Sequence, residues 1–235
     1  MKRSKAFGTA VTSIVLGGGA LALAGFALAS AAPHQAPLQC QPIAGSPGNC
    51  TLTISTYPDS LAGEHGTTGG AHADWVSYSN YNLDVPANTT VHMVIKQYDS
   101  GGSLNNAFFS HVWGTTTGTA TYSIPSTDGK TYSTPAALSV VDTNNIGHTF
   151  TLRGVPGNGT PIFVSIPLPA NPATNSIAIG SGTYSSPVLV SFTFKTGSKG
   201  VYEWNCEFPC GGSREGQFGE AMSSYGYMSG TVTVK

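Results

Sequence analysis

Gly200-Val-Tyr-Glu-Trp-Asn-Cys206-Glu-Phe-Pro-Cys210 is the stretch on which the fold turns. An alternating aromatic run of this kind reads as a strand, here 201–205, that delivers a thiol at its end. Downstream, Met228-Ser-Gly-Thr-Val-Thr-Val-Lys235 places a thioether just before a further strand, 231–235. A thiolate, a thioether and imidazoles are the donors that hold a soft redox metal between the geometries of its two oxidation states. The last of the six histidines is His148, so no imidazole follows Cys206.

Working outward, Phe192-Thr-Phe-Lys-Thr-Gly-Ser-Lys-Gly200 is an alternating strand that turns at glycine into the Cys206 strand. Further upstream, Asn144-Asn-Ile-Gly-His148-Thr-Phe places a histidine at a strand start, between a turn and an aromatic. Thr51-Leu-Thr-Ile-Ser-Thr alternates at period two, and 75–83, 89–98, 138–142, 148–152, 162–166 and 188–195 also read as strands between Gly, Pro and Asn turns. Val91, Met93 and Ile95 point to a core, with His92 on the solvent side. The spacing predicts an all-β, Greek-key antiparallel β-sandwich with very little helix.

Three of these pieces, in this order, resemble the cupredoxin family across about 140–235: the Asn-x-x-His148-x-Phe segment, the Gly200-x-Tyr-x-aromatic-x-Cys206 strand, and Met228 before the last strand. The resemblance implies copper, with Cys206 as the main covalent ligand, His148 as the nitrogen donor and Met228 as the weak axial sulfur. Met222 competes with Met228, because it lies in the same loop. Two departures stand out. Cupredoxins carry a histidine between the cysteine and the methionine, and 207–227 holds none. The Cys-x-x-x-Cys spacing of Cys206 and Cys210 is similar to the binuclear copper A site of oxidase subunit II, yet Arg214 stands where that family has histidine. A copper site would therefore draw on Cys210, or on His111 or His72 folded over the sandwich end. The other reading is a metal-free secreted sandwich, used for binding or envelope structure, in which Cys206 and Cys210 form a disulfide. Phe108, Phe109 and Trp113 would then be a contact surface or a cap on the core.

The remaining chain sets the context. Lys2, Arg3 and Lys5 precede an apolar run over 7–28 and the small-residue site Ala29-Ser-Ala31, so 1–31 reads as a signal peptide or, if uncleaved, an anchor. Either way the rest is expected outside the cytoplasm, secreted or in a periplasm or cell envelope, with no further membrane span. A Pro-rich extended arm over 32–50 and a sandwich over 51–235 follow, with an insertion at about 99–135 that exceeds ordinary connection lengths. Only 9% of the 235 residues are charged. Without Lys2, Arg3 and Lys5, seven basic residues face eleven acidic ones, a formal charge of about −4, so nothing points to nucleic acid or anionic membrane as a partner. Cys40 and Cys50 bracket a short Pro/Gly loop suited to a disulfide, as an exported compartment permits. No Gly-x-Ser-x-Gly elbow, phosphate-binding glycine loop or His-Glu-x-x-His pair is present, and Glu64-His65, His72-Ala-Asp74 and Arg214-Glu215 read as solvated loop groups. The expectation is an electron carrier or oxidase-subunit-like domain that exchanges electrons with another redox protein, not an independent enzyme.

Overall fold

The computed structural model describes residues 35–62, 72–155, 157, 159–180, 182–210 and 220–235. The segment 1–31 expected as a leader, the first residues of the expected arm, the glycine-rich stretch with Glu64-His65, and Arg214-Glu215 lie outside the described residues.

Two sheets form. The first runs in the order β1 (Leu38–Gln39), β5 (Asn82–Val85), β15 (Ser229–Val234), β14 (Gly200–Asn205), β9 (Ile146–Gly154), β10 (Ile162–Pro169). The second runs β2 (Gln41–Pro42), β3 (Asn49–Tyr57), β6 (Thr90–Gln97), β13 (Val188–Lys195), β7 (Ala120–Ser123), β8 (Ala136–Leu138), with β4 (Ser77–Tyr78) paired to β3. A hairpin of β11 (Ile177–Ile179) and β12 (Gly182–Tyr184) stands apart. Helix among the described residues is limited to a 3₁₀ turn at Ala107–Ser110 and one α turn at Glu220–Ser223.

Period-two alternation builds the interior. On β6 every second residue is buried, Val91, Met93 and Ile95 among them, while His92 on the other side reaches Asn49 Oδ1 at 2.9 Å. Phe192 and Phe194 of β13 face Phe150, Tyr202 and Trp204 of the first sheet in one continuous core, and the Phe150 and Phe192 rings lie 6.2 Å apart across the layers. The chain thus forms the all-β sandwich expected from its strands.

The pairing differs from the expected antiparallel arrangement in three places. β3 runs parallel to β6, β5 parallel to β15, and β1 parallel to β5. The cause is that the chain changes sheets repeatedly. The arm passes from β1 in one sheet to β2 in the other, and Cys40 between them is bonded to Cys50 of β3. The strand expected over 75–83 is two short strands, because Tyr78 pairs beside β3 whereas Asn82 pairs beside β15. The segment expected as an insertion makes the third crossing. Trp113 exchanges both backbone bonds with Ser165 on the β10 edge, Thr116 N–H then donates to Thr193 of β13, and β7 continues in the second sheet. Gly114 turns this corner at φ +72°, where an added Cβ would lie 1.8 Å from the Phe163 carbonyl oxygen, so only glycine fits.

The Cys40–Cys50 bond spans a sequence separation of 10. Closing a loop of that size stabilises by about 2–3 kcal/mol. Replacing both cysteines by alanine is expected to lower unfolding free energy by that amount in urea titrations, and a change below about 0.5 kcal/mol would show that the two edge strands hold the arm without it.

Candidate metal centre

The candidate centre lies where β9 begins and β14 ends. His148 is the third residue of β9, paired with Leu168 of β10, and it is fully buried. Cys206 follows β14 directly, and its N–H donates to the Met228 carbonyl at 2.8 Å, which carries the β14–β15 pairing one residue further. The two strand ends are also laced together: Thr149 N–H donates to Cys206 Sγ at 3.4 Å, and Glu207 N–H to Thr149 Oγ1 at 2.6 Å. A tight turn, with Cys210 N–H on the Phe208 carbonyl at 2.8 Å, brings the second thiol back.

Cys206 Sγ stands 3.8 Å from His148 Nδ1. A nitrogen of His148 and the sulfurs of Cys206 and Cys210 all lie within 4.8 Å of one another, and all three residues are buried. With metal bonds of about 2.0–2.3 Å to nitrogen and sulfur, the donors around a four-coordinate ion are about 3.3–3.8 Å apart, so movements of roughly 1 Å would close this set on an ion. The donor set fits a thiophilic metal.

Cys206 and Cys210 are free thiols, not the disulfide of the metal-free reading. Met228 is fully buried, and its pairing opposite Cys206 places it on the same sheet face. Met222 is half-buried against the core, and its N–H donates to the Cys210 carbonyl at 3.3 Å. Neither upstream histidine joins the group of donors. His111 is held by its own segment, with Nδ1 3.0 Å from the Ala107 carbonyl and the ring stacked on Trp113. His72 stacks on Trp75 at 3.8 Å. Among the described residues the cluster therefore contains one imidazole.

The sequence reading missed Asp99. Its Oδ2 lies 3.0 Å from His148 Nε2, the ring nitrogen opposite the sulfurs. The polar turn Asp99-Ser-Gly-Gly is visible in the chain, but nothing local links it to a histidine 49 residues away.

The electrostatics follow from this geometry. Burial by itself would lower the His148 pKa. The hydrogen bond to Asp99, the hydrogen bond to Cys206 and the charges of both outweigh it, raising the value from 6.5 to about 9. Burial would likewise raise Cys206, yet donation from Cys210, the His148 imidazolium and Thr149 N–H hold it well below the usual thiol range. Cys210 is pushed up, first by donating to the Cys206 sulfur and then by burial. Without metal, the centre is a thiolate–imidazolium pair with a neutral thiol beside it.

This pairing predicts an unusual pH profile for the metal-free, reduced protein. The raised His148 contributes stability that is complete below 6.5 and fades as pH rises through about 9. The depressed Cys206 contributes stability that is complete above 9.0 and is lost as pH falls through its low folded value. Between 6.5 and about 9 the folded state holds one extra proton on His148 and one fewer on Cys206, so the two slopes cancel and stability is flat. Below that window stability falls with pH as Cys206 regains its proton, and above it the proton retained on Cys210 makes stability fall again. Urea midpoints across pH 5–10 check this. A single continuous slope through the window would contradict the ion pair.

No known protein family matches the chain, and no curated protein matches it. Among solved structures, auracyanin B is 18% identical, over 86% of this chain and 99% of that one, with a TM-score of 0.31. Rusticyanin from Thiobacillus ferrooxidans is 14% identical, over 92% of this chain and 94% of its own, with a TM-score of 0.35. A further structure of rusticyanin, described as a copper protein, is 13% identical over 83% and 87%, again with a TM-score of 0.35. At these scores neither a ligand set nor an activity is carried over to this chain.

Proposed function

We propose that the chain is an exported copper-binding protein that transfers single electrons to or from another redox protein. The observation that carries the proposal is the buried group of His148, Cys206 and Cys210 at the end of the sandwich. Thiolates and imidazole suit copper, and bound copper would supply one-electron chemistry. The chain's own part is to hold the donors still. His148 and Cys206 stand at the ends of paired strands, and Thr149 fastens one end to the other. Such a frame leaves little to reorganise when charge changes. Met228 or Met222 supplies the thioether sulfur. The leader over 1–31 and the Cys40–Cys50 disulfide support a place outside the cytoplasm.

Two sulfurs and one imidazole also make a zinc donor set. The test is metal analysis with a thiol count on the purified full chain, followed by Cu(II) titration. Stoichiometric copper, an intense visible thiolate-to-copper band and reversible one-electron reduction are expected. Zinc retained without such a band would replace the electron-transfer reading by a structural site, and two disulfides with no retained metal would replace it by the metal-free module.

A further inference from the structure

Asp99 does not touch the space between the donors, yet the fold places it with more constraint than an ordinary loop carboxylate. Its Oδ2 meets His148 Nε2 at 3.0 Å, with the imidazole 2% and the carboxylate 17% exposed. Its Oδ1 accepts from Ser100 N–H at 2.7 Å, and its carbonyl accepts from Asn171 N–H at 3.0 Å. The fully buried Gln97 at the end of β6 holds it from the other side: Gln97 Oε1 accepts from Asp99 N–H at 3.3 Å, and Gln97 Nε2 donates to the Asp99 carbonyl at 3.3 Å. Thr56 Oγ1 in turn donates to Gln97 Oε1.

The loop is then pressed onto the start of β9. Gly102 and Ile146 exchange backbone bonds of 2.9 and 3.0 Å. A Cβ on Gly101 would lie 2.3 Å from the Ile146 carbonyl oxygen, and one on Gly147 2.1 Å from Gln97 Nε2. Two glycines thus permit the approach that puts the carboxylate against the histidine. With Nε2–H committed to Asp99, Nδ1 is the nitrogen left facing Cys206, 3.8 Å away.

Resting on the copper reading above, we propose that Asp99 is a positioning residue for the metal centre. It fixes the ring orientation of His148, directs Nδ1 at the sulfurs and strengthens that nitrogen as a donor. Carboxylate partners of metal-bound histidines contribute about 10–100-fold to metal affinity. A negative charge one ring away also favours the more positively charged oxidised metal, so Asp99 lowers the reduction potential.

The test compares the full-length wild type with Asp99→Leu and Asp99→Asn. In the metal-free wild type, NMR is expected to show a slowly exchanging His148 Nε2–H resonance that is lost in Asp99→Leu and kept in Asp99→Asn, whose amide oxygen still accepts. Copper affinity is expected to fall about 10–100-fold in Asp99→Leu and to be largely restored in Asp99→Asn. The potential of Asp99→Asn is expected above that of the wild type, a change that a merely structural contact would not produce. Wild-type resonance and affinity in Asp99→Leu, or an unshifted potential in Asp99→Asn, would overturn the role of Asp99 alone. Failure of the wild type itself to take up copper would overturn the copper reading.

Discussion

Cys206→Ser is expected to abolish stoichiometric copper uptake together with its visible band. Cys206 is the thiolate of the centre, because Cys210, His148 and Thr149 N–H all favour its charged form. Serine keeps the shape and can accept from Thr149 N–H, but its hydroxyl does not ionise at neutral pH. Cys210 remains in the variant, but it stands beyond the turn at Phe208 and not at the strand end fastened to Thr149, so one sulfur of the donor set is missing. Residues that only orient a ligand contribute about 10–100-fold to affinity, so loss of the principal sulfur should exceed about 100-fold. A copper titration followed by absorbance and metal analysis measures this. The same variant removes the ion pair with His148, so the flat region of the pH profile should vanish as well. Undiminished copper uptake in Cys206→Ser would mean that the metal is held elsewhere.

The second large effect is structural. Gly230 of β15 lies opposite Trp204 of β14, two positions from Met228, and has no room for a side chain. An added Cβ would sit 1.9 Å from the Tyr81 carbonyl oxygen and 2.9 Å from Trp204 Cζ2. That carbonyl accepts from Thr231 N–H at 2.8 Å where β5 joins β15, so it cannot retreat without opening the sheet. Trp204 is fully buried between Tyr78 and Phe150 and has no free volume to enter. Overpacking of this kind costs about 1–3 kcal/mol and occasionally more. Gly230→Ala is therefore expected near or above 3 kcal/mol in urea unfolding, with a change in Trp204 fluorescence. A loss under about 0.5 kcal/mol would show that the close approach is not required.

How much was legible follows from the range of each interaction. The strand of Val91, Met93 and Ile95 was readable because its alternation is local, and so was the short loop between Cys40 and Cys50. His148 and Cys206 were readable as strand-end donors, because their neighbouring residues mark the strands that carry them. The split of 75–83 into two strands was not, since alternation cannot say that Tyr78 and Asn82 belong to different sheets. Nor could it show that 99–135 crosses the sandwich: Trp113 and Thr116 are committed by backbone bonds to residues far along the chain. The upstream imidazoles, His72 and His111, were open candidates in the sequence, and their stacking on Trp75 and Trp113 keeps them in their own segments.

The stretch from Gly200 to Cys210, with Met228 beyond it, thus determined by itself a strand, a thiol at its end and a sheet for it to join, because side-chain period and turn chemistry act over a few residues. Tertiary structure alone decided the company of that thiol. Cys206 and His148 are 58 residues apart, and His148 and Asp99 are 49. Such pairs are set by strand order, register and the close packing of Gly101 and Gly147, and these exist only once both sheets have closed on one core.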